Sequence, residues 1–345
     1  MKIITFVIPA YNSEKFLDIC IPSMIVPEVL DKVEIMVVDD GSKDRTAEIA
    51  KKYCEMYPET VRLISQENKG HGGALNTGCA AATGKYLKVI DSDDWIVTEN
   101  LLNYIGELER CEADVVITHH HTVDTGTGEI KSWKSYPEKF GREYTFEEII
   151  EHWEDFNRSL TFHGITYRTE FLQKIDYKLS EHVFYEDHEY STFPCCYAKR
   201  IKPLDLFIYE YRIGDVEQSV SEANQLKRLS HTETVIQRLL SEYEQLSGVS
   251  EAQKRFVELK ISILLLSYMT ICLLVNPNRK EGRYFAKDYL HMFKLNAPTI
   301  YDAVQKKCLC FLLMNYLHMN NHTWERIKES RLYNLVKRRH AFTES

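Results

Sequence analysis

Up to residue 90, short apolar runs alternate with amphipathic stretches. Strand-like runs at Ile3–Ile8, Val33–Val38, Val61–Ile64 and Tyr86–Ile90 are separated by helix-like segments around Ser13–Ile25, Asp44–Met56 and Gly73–Ala82. Each helix-like segment opens near Ser, Asp or Gly, as helix starts tend to do. The alternation predicts a parallel sheet with crossover helices. Such sheets bind ligands beyond the carboxyl ends of their strands, so the residues just after each strand are the ones to inspect.

After Asp94 the pattern loosens to a helix over about 98–111, a strand Asp114–Thr118, a Gly126-Thr127-Gly128 turn and a mixed region to Arg212. From about residue 222 strand signals vanish, and Leu226, Leu229, Val235, Ile236, Leu239 and Leu240 mark one apolar helix face. The expected division is therefore a catalytic-type domain over 1–221 and an all-α domain over 222–345. The longest apolar stretch, Ile261 to Val275, falls short of the roughly 20 residues that cross a bilayer and contains Ser267, Tyr268 and Thr270, so it reads as a buried helix. The N-terminal apolar run is broken by Pro9, lacks a signal-type cleavage site and reads as the first strand.

Composition narrows the function classes. A length of 345 residues leaves room for two domains, and 44% hydrophobic with 27% charged residues is an ordinary globular mix. A net charge of −8 argues against a nucleic-acid partner, which needs concentrated Lys and Arg. None of the nine cysteines forms a Cys-x-x-Cys pair, so reduced, buried thiols in a cytoplasmic protein are expected.

Three constellations carry chemistry. Pro9-Ala10-Tyr11-Asn12 ends the first strand and Asp39-Asp40-Gly41-Ser42 the second. Together they offer an aromatic face, backbone amides and a carboxylate suited to a nucleobase, although Asp-Gly-Ser is also ordinary turn chemistry. Asp91-Ser92-Asp93-Asp94 follows the fourth strand. Carboxylates packed so densely repel unless a cation lies between them, and oxygen ligands favour Mg²⁺ or Mn²⁺; an acidic helix cap explains one of them more easily than three. Phe184-Tyr185-Glu186-Asp187-His188-Glu189 reads, by spacing alone, as an acidic helix start.

In order, Val-Ile-Pro-Ala-Tyr-Asn, Val-Val-Asp-Asp-Gly-Ser-Lys-Asp-Arg-Thr, Asn68-Lys69-Gly70 through Gly78, Ala82-Thr83-Gly84-Lys85-Tyr86 and Asp91-Ser92-Asp93-Asp94 fill the first 95 or so residues. This succession resembles the family 2 inverting glycosyltransferases of GT-A fold. Glu186-Asp187, Tyr211-Arg212 and Ser219-Val220-Ser221 extend it more loosely. The resemblance implies a GT-A-like α/β domain with a mixed, mainly parallel central sheet. It implies transfer of a sugar from a nucleotide diphosphate donor, a UDP-sugar by expectation, to a hydroxyl of a carbohydrate or glycoconjugate acceptor, in surface polysaccharide or glycoconjugate synthesis. Carried over by position, Pro9, Tyr11 and Asp40 hold the base, Asp91 the ribose region, and Asp93 an Mg²⁺ or Mn²⁺ ion. Asp187 is the acceptor-side base with Glu186 beside it, and Arg212 and Ser219 lie near the diphosphate. Family members often add a histidine ligand after the Arg position; none occurs between Arg212 and Ser230, leaving Gln218 or water as substitutes.

Other signals are weaker. Gly70-His71-Gly72-Gly73 lacks the last glycine of a dinucleotide fingerprint, and Gly78 to Lys85 has one residue too many for a P-loop. In His119-His120-His121 alternate side chains on a strand point to opposite sides, so a shared metal is not expected. The basic amphipathic run Arg326 to His340 suits packing on its own protein or peripheral contact with an anionic membrane surface at its inner face. Two rival classes are a catalytically silent nucleotide-sugar-binding module, which would have lost Asp93 and Asp187, and a nicotinamide-dependent oxidoreductase, which would show glycines where Pro9-Ala10-Tyr11-Asn12 stand.

Overall fold

The protein is described from a computed structural model, over residues 1–214 and 222–329. Ser219 and Gln218, and the basic run beyond residue 329, lie outside the described residues.

Strands β1 (Ile4–Ala10) and β2 (Val33–Asp39) are buried along their whole length, which is why they read as continuous apolar runs. With β3 (Val61–Ser65) and β4 (Tyr86–Val89) they form a parallel array in the order β3-β2-β1-β4. Its crossovers are α1 (Leu17–Ser23), α2 (Thr46–Met56) and α3 (Gly70–Ala81). Helix α1 is shorter than expected and contains Pro22; residues 13–16 before it form a loop that reaches the strand ends. One core unites Phe6 and Ile8 of β1, Ile35 and Val37 of β2, and Leu17 and Ile21 of α1. Each such side chain contributes about 1.5–3 kcal/mol of burial.

The second half of the sheet is mostly antiparallel. It comprises β5 (Trp95–Ile96), β6 (Val115–Asp124), β7 (Ile130–Trp133), β8 (Ile165–Arg168) and β9 (Ile201–Ile213), continuing the order as β4-β8-β6-β9-β5 with β7 on β6. The expected strand at 114–118 is thus twice as long, because β6 runs parallel to β9 as far as Asp124↔Ile213. Backbone pairing overrides the polarity of its second half. His119 and His121 both flank Phe207 of β9, at ring-centroid distances of 5.1 and 4.2 Å, whereas His120 faces Trp133 and His163. The three rings do not converge. Helices α4 (Leu101–Glu109), α5 (Phe146–Glu151), α6 (Trp153–Phe156), α7 (Thr169–Ile175) and α8 (Asp187–Cys196) complete this region.

After β9 the described residues are helical: α9 (Glu222–Lys227), α10 (Leu229–Gln245), α11 (Glu251–Thr270), α12 (Arg279–Asn296), α13 (Pro298–Tyr316) and α14 (Asn321–Glu329). A π-helical turn, Ile271–Val275, prolongs α11, so the apolar helix spans 25 residues rather than the 15 of the apolar run. It is long and apolar enough to cross a membrane by length and composition, and 72% of its apolar window is buried within the protein. By contacts the chain divides into two compact units, 1–218 with 241–257 and 219–240 with 258–345. In the first unit, Phe256 packs edge-on against Phe146 at 5.1 Å, and Gln253 Nε2 donates to the Cys196 carbonyl at 2.7 Å. In the second, Asn315 Nδ2 donates to the Leu273 carbonyl at 2.7 Å and Phe311 meets Trp324 at 5.0 Å.

Candidate active site

The carboxyl ends of β1, β2 and β4 meet the end of β9 in one cleft. Asp40, just past β2, is 2% exposed; its Oδ1 accepts from Gln66 Nε2 at 2.7 Å and from the Lys69 amide at 2.8 Å. Pro9 is buried within β1, and Tyr11, just after it, is 51% exposed. The adjoining loop is tied across the strand ends by the Asn12 amide donating to Ser42 Oγ at 3.0 Å and by the Ser13 and Ser92 hydroxyls at 2.7 Å.

The Asp91-Ser92-Asp93-Asp94 cluster does not act as a block. Asp94 is buried and faces inward, accepting from Tyr209 Oη at 2.6 Å and from the Arg212 amide at 2.7 Å. Burial, then the charges of Asp93 and Asp91, push its carboxyl well above the usual range. It anchors β9 to β4. Asp93 is a third exposed and lies 3.9 Å from Arg212 Nη1, whose guanidinium sits 4.8 Å above the Phe16 ring. Asp91 turns the other way, its Oδ1 2.9 Å from Nε2 of His71.

His71 joins the two halves of the site. Its Nδ1 lies 2.5 Å from Glu186 Oε1, so one ring bridges residues 20 and 115 positions away. Burial opposes protonation, but the charges of Glu186 and Asp91 outweigh it and raise its pKa well above the ordinary value. The glycines around it make the approach possible. Gly70 has φ +77°, and a Cβ there would stand 2.7 Å from the His182 amide nitrogen; at Gly72 it would collide with the Ser180 carbonyl.

The acidic run 186–189 also splits by role. Glu189 accepts from the amide and hydroxyl of Ser180 at 2.9 and 2.7 Å, holding the preceding loop. Glu186 is 2% exposed and engaged by His71. Asp187, the first residue of α8, is half-buried. Tyr185 before them adopts φ +72°, a left-handed conformation that a bulky residue rarely takes.

His163 completes the floor, stacked on Tyr211 at 4.4 Å and within electrostatic reach of Asp91 and Asp187. Burial pushes it down to about 4 despite those charges, so it is neutral at pH 7. Beneath it Lys88, wholly buried in β4, donates to the His163 and Ile165 carbonyls at 2.7 and 3.3 Å, and burial lowers its amine to about 7.

The cleft thus brings together Asp40, Asp91, Asp93, Glu186 and Arg212, while Ser219 lies outside the described residues. Residues 5–175 match the profile of glycosyl transferase family 2. Residues 5–175 form a glycosyl transferase family 2 domain. The chain is 34% identical over 150 residues to the glycosyltransferase GlyG of Streptococcus pneumoniae, covering 43% of this chain and 47% of GlyG. It is 27% identical over 216 residues to the uncharacterized glycosyltransferase EpsJ of Bacillus subtilis, covering 61% of each. The chain therefore spans about half to three-fifths of the length of these two relatives. The fold is that of residues 1–349 of S. aureus TarS, solved in complex with UDP-GlcNAc, with a TM-score of 0.64 at 21% identity over 92% of this chain and 89% of that one.

Sequence reasoning in this family 2 domain missed His71, His163, Lys88 and Tyr209. His71 had a signal: it stands just past the third strand, where ligand-facing residues were to be sought.

Proposed function

We propose that this chain is an inverting glycosyltransferase that moves a sugar from a UDP-sugar to an acceptor hydroxyl in surface polysaccharide assembly. The observation that carries the reading is the His71 bridge, which sets the 186–187 segment against the strand end bearing Asp91 and Asp93. Nothing local in sequence brings these together. A sugar hydroxyl is a weak nucleophile at neutral pH and needs a carboxylate to take its proton as it attacks the anomeric carbon. With Glu186 buried against His71, Asp187 is the base, and attack from its side opposite the leaving diphosphate inverts the sugar.

Among the described residues no group of three or more His, Cys, Asp or Glu side chains is disposed to hold a metal ion. A part-exposed carboxylate, Asp93, with Arg212 beside it fits a hard divalent cation of the kind that takes one or two protein carboxylates and completes its shell with phosphate and water. Held at Asp93, Mg²⁺ or Mn²⁺ would supply positive charge against the diphosphate. Arg212, braced over Phe16, faces the same charge, and Tyr11 and Asp40 take the base. The nine cysteines are free thiols, six of them buried, which suits a reducing, cytoplasmic setting.

A thermal-shift screen of UDP-GlcNAc, UDP-glucose, UDP-galactose and GDP-mannose, with and without Mn²⁺, tests the donor. A UDP-sugar should raise the melting temperature, more so with the ion. No shift with any of them sinks the donor assignment, and binding without UDP release favours the silent-module reading.

A further inference from the structure

Both ring nitrogens of His71 face carboxylates, Nδ1 toward Glu186 and Nε2 toward Asp91. A carboxylate only accepts, so a neutral imidazole could donate to one of them and would present a lone pair to the other. Both contacts are satisfied together by the doubly protonated ring, and Glu186 and Asp91 are the charges that dominate its surroundings. Glu186 is 2% exposed, and a carboxylate so buried is strongly disfavoured without a partner. The ring is therefore the partner that Glu186 needs where it sits next to Asp187.

The two carboxylates belong to opposite sides of the cleft. Asp91 follows β4 on the donor side, and its amide donates to Tyr209 Oη at 3.1 Å. Glu186 immediately precedes the first residue of α8 on the acceptor side. Gly70 and Gly72 show that the approach of the 180–182 loop to the start of α3 tolerates no side chain, and the His182 amide closes it by donating to the Lys69 carbonyl at 2.9 Å. The fold thus commits backbone, glycines and a part-buried histidine bridge to the spacing between these two sides.

We propose that His71 is a positioning residue for glycosyl transfer: by bonding Asp91 and Glu186 at once, it fixes the distance between the donor site and the base Asp187. This rests on the transfer reading given above. A shift of about 1 Å between reacting groups costs on the order of 10²-fold in rate, while donor affinity, shared among Tyr11, Asp40, Asp91, Asp93 and Arg212, changes far less when one of them loses a neighbour.

The test uses the full chain and nucleoside diphosphate release, UDP or GDP as the donor dictates, from the four nucleotide sugars named above, with water as acceptor. His71→Ala should lower kcat roughly 10–10²-fold and leave the KM for the donor within about threefold. Glu186→Gln should lower kcat comparably, and the double variant should be no slower than His71→Ala, because each change cuts the same link. A second readout is independent of turnover. In ¹⁵N-edited spectra of the 13 histidines, one ring should keep both nitrogens protonated at pH 8, vanish in His71→Gln and become neutral in Glu186→Gln. Wild-type kcat in His71→Ala, multiplicative losses in the double variant, or a His71 ring that titrates near the free value overturns the proposal. Asp187→Asn measured alongside separates the two levels: full activity there, or no donor turned over by the wild type, removes the transfer reading itself.

Discussion

The parallel strands carry buried carboxylates at both ends, and the two ends treat them differently. At the amino end Glu34, 3% exposed, accepts from Thr5 Oγ1 at 2.6 Å, from the amide and hydroxyl of Thr83 at 2.9 and 2.8 Å, and from Arg62 at 2.6 Å. Burial pushes its carboxyl up, and these hydrogen bonds more than reverse the effect, leaving it below the usual range. At the carboxyl end Asp91, Asp93 and Asp94 crowd together, and Asp94 is pushed well up. A carboxylate whose every lobe has a donor is holding the sheet together. Asp94 has a donor on each oxygen as well, yet the charges of Asp93 and Asp91 beside it still push it up, and that crowding is what a positive charge arriving from outside would relieve.

The sharpest break of this contrast is Asp187→Asn, which keeps size and hydrogen bonding but removes the proton acceptor. Transfer should fall by roughly 10²–10⁴ with donor binding and melting temperature nearly unchanged. Next, Asp93→Ala should lower Mn²⁺-dependent binding of UDP about 10²-fold, read by calorimetry with and without the ion, and should leave the fold intact. Full transfer in strong chelator would falsify the role given to Asp93.

At the opposite end the readout inverts. Glu34→Gln sets an amide NH₂ against donors and should cost about 1–3 kcal/mol of stability, with kcat of the folded protein unchanged. Because the folded pKa of Glu34 is depressed, its contribution is present above the ordinary carboxylate value and is lost as pH falls through the depressed one. The variant should therefore lose part of the wild-type acid sensitivity in denaturant melts. The smallest effect is expected at His120, whose Nδ1 is buried without a partner and whose pKa is lowered to about 2, chiefly by burial. The unfolded chain takes up a proton below about 6.5 that the folded ring refuses, so stability falls with pH from there downward. His120→Phe should flatten the dependence of stability on pH between pH 7 and 6 by about 0.7 kcal/mol and leave stability at pH 8 unchanged or higher.

The parallel half was legible because strands buried on both faces must be apolar and their crossovers amphipathic, both local properties. The antiparallel half was not. Strand β9 carries Lys202, Asp205, Glu210 and Arg212, and β6 ends in His121, Thr122 and Asp124, because one face or one end meets water or the cleft. The carboxylates at 91–94 and 186–187 could be named from sequence, yet their division of labour could not. Asp94 is set apart by Tyr209, 115 positions away, and Glu186 by His71, equally distant. A histidine between glycines carries no local mark of the two acids it will meet.

Tyr185 has a consequence for how this segment can change over generations. Its left-handed backbone is costly for a residue with a Cβ, by about 1–3 kcal/mol, and nearly free for glycine. Drift at this position is therefore lopsided. Exchange for glycine relaxes the turn, whereas a β-branched residue raises the cost of presenting Glu186 and Asp187 without touching either side chain. Lineages that keep the chemistry should vary freely in the acceptor-facing loops while position 185 stays confined to a short set of residues, a pattern visible in a mutational library selected for folding alone.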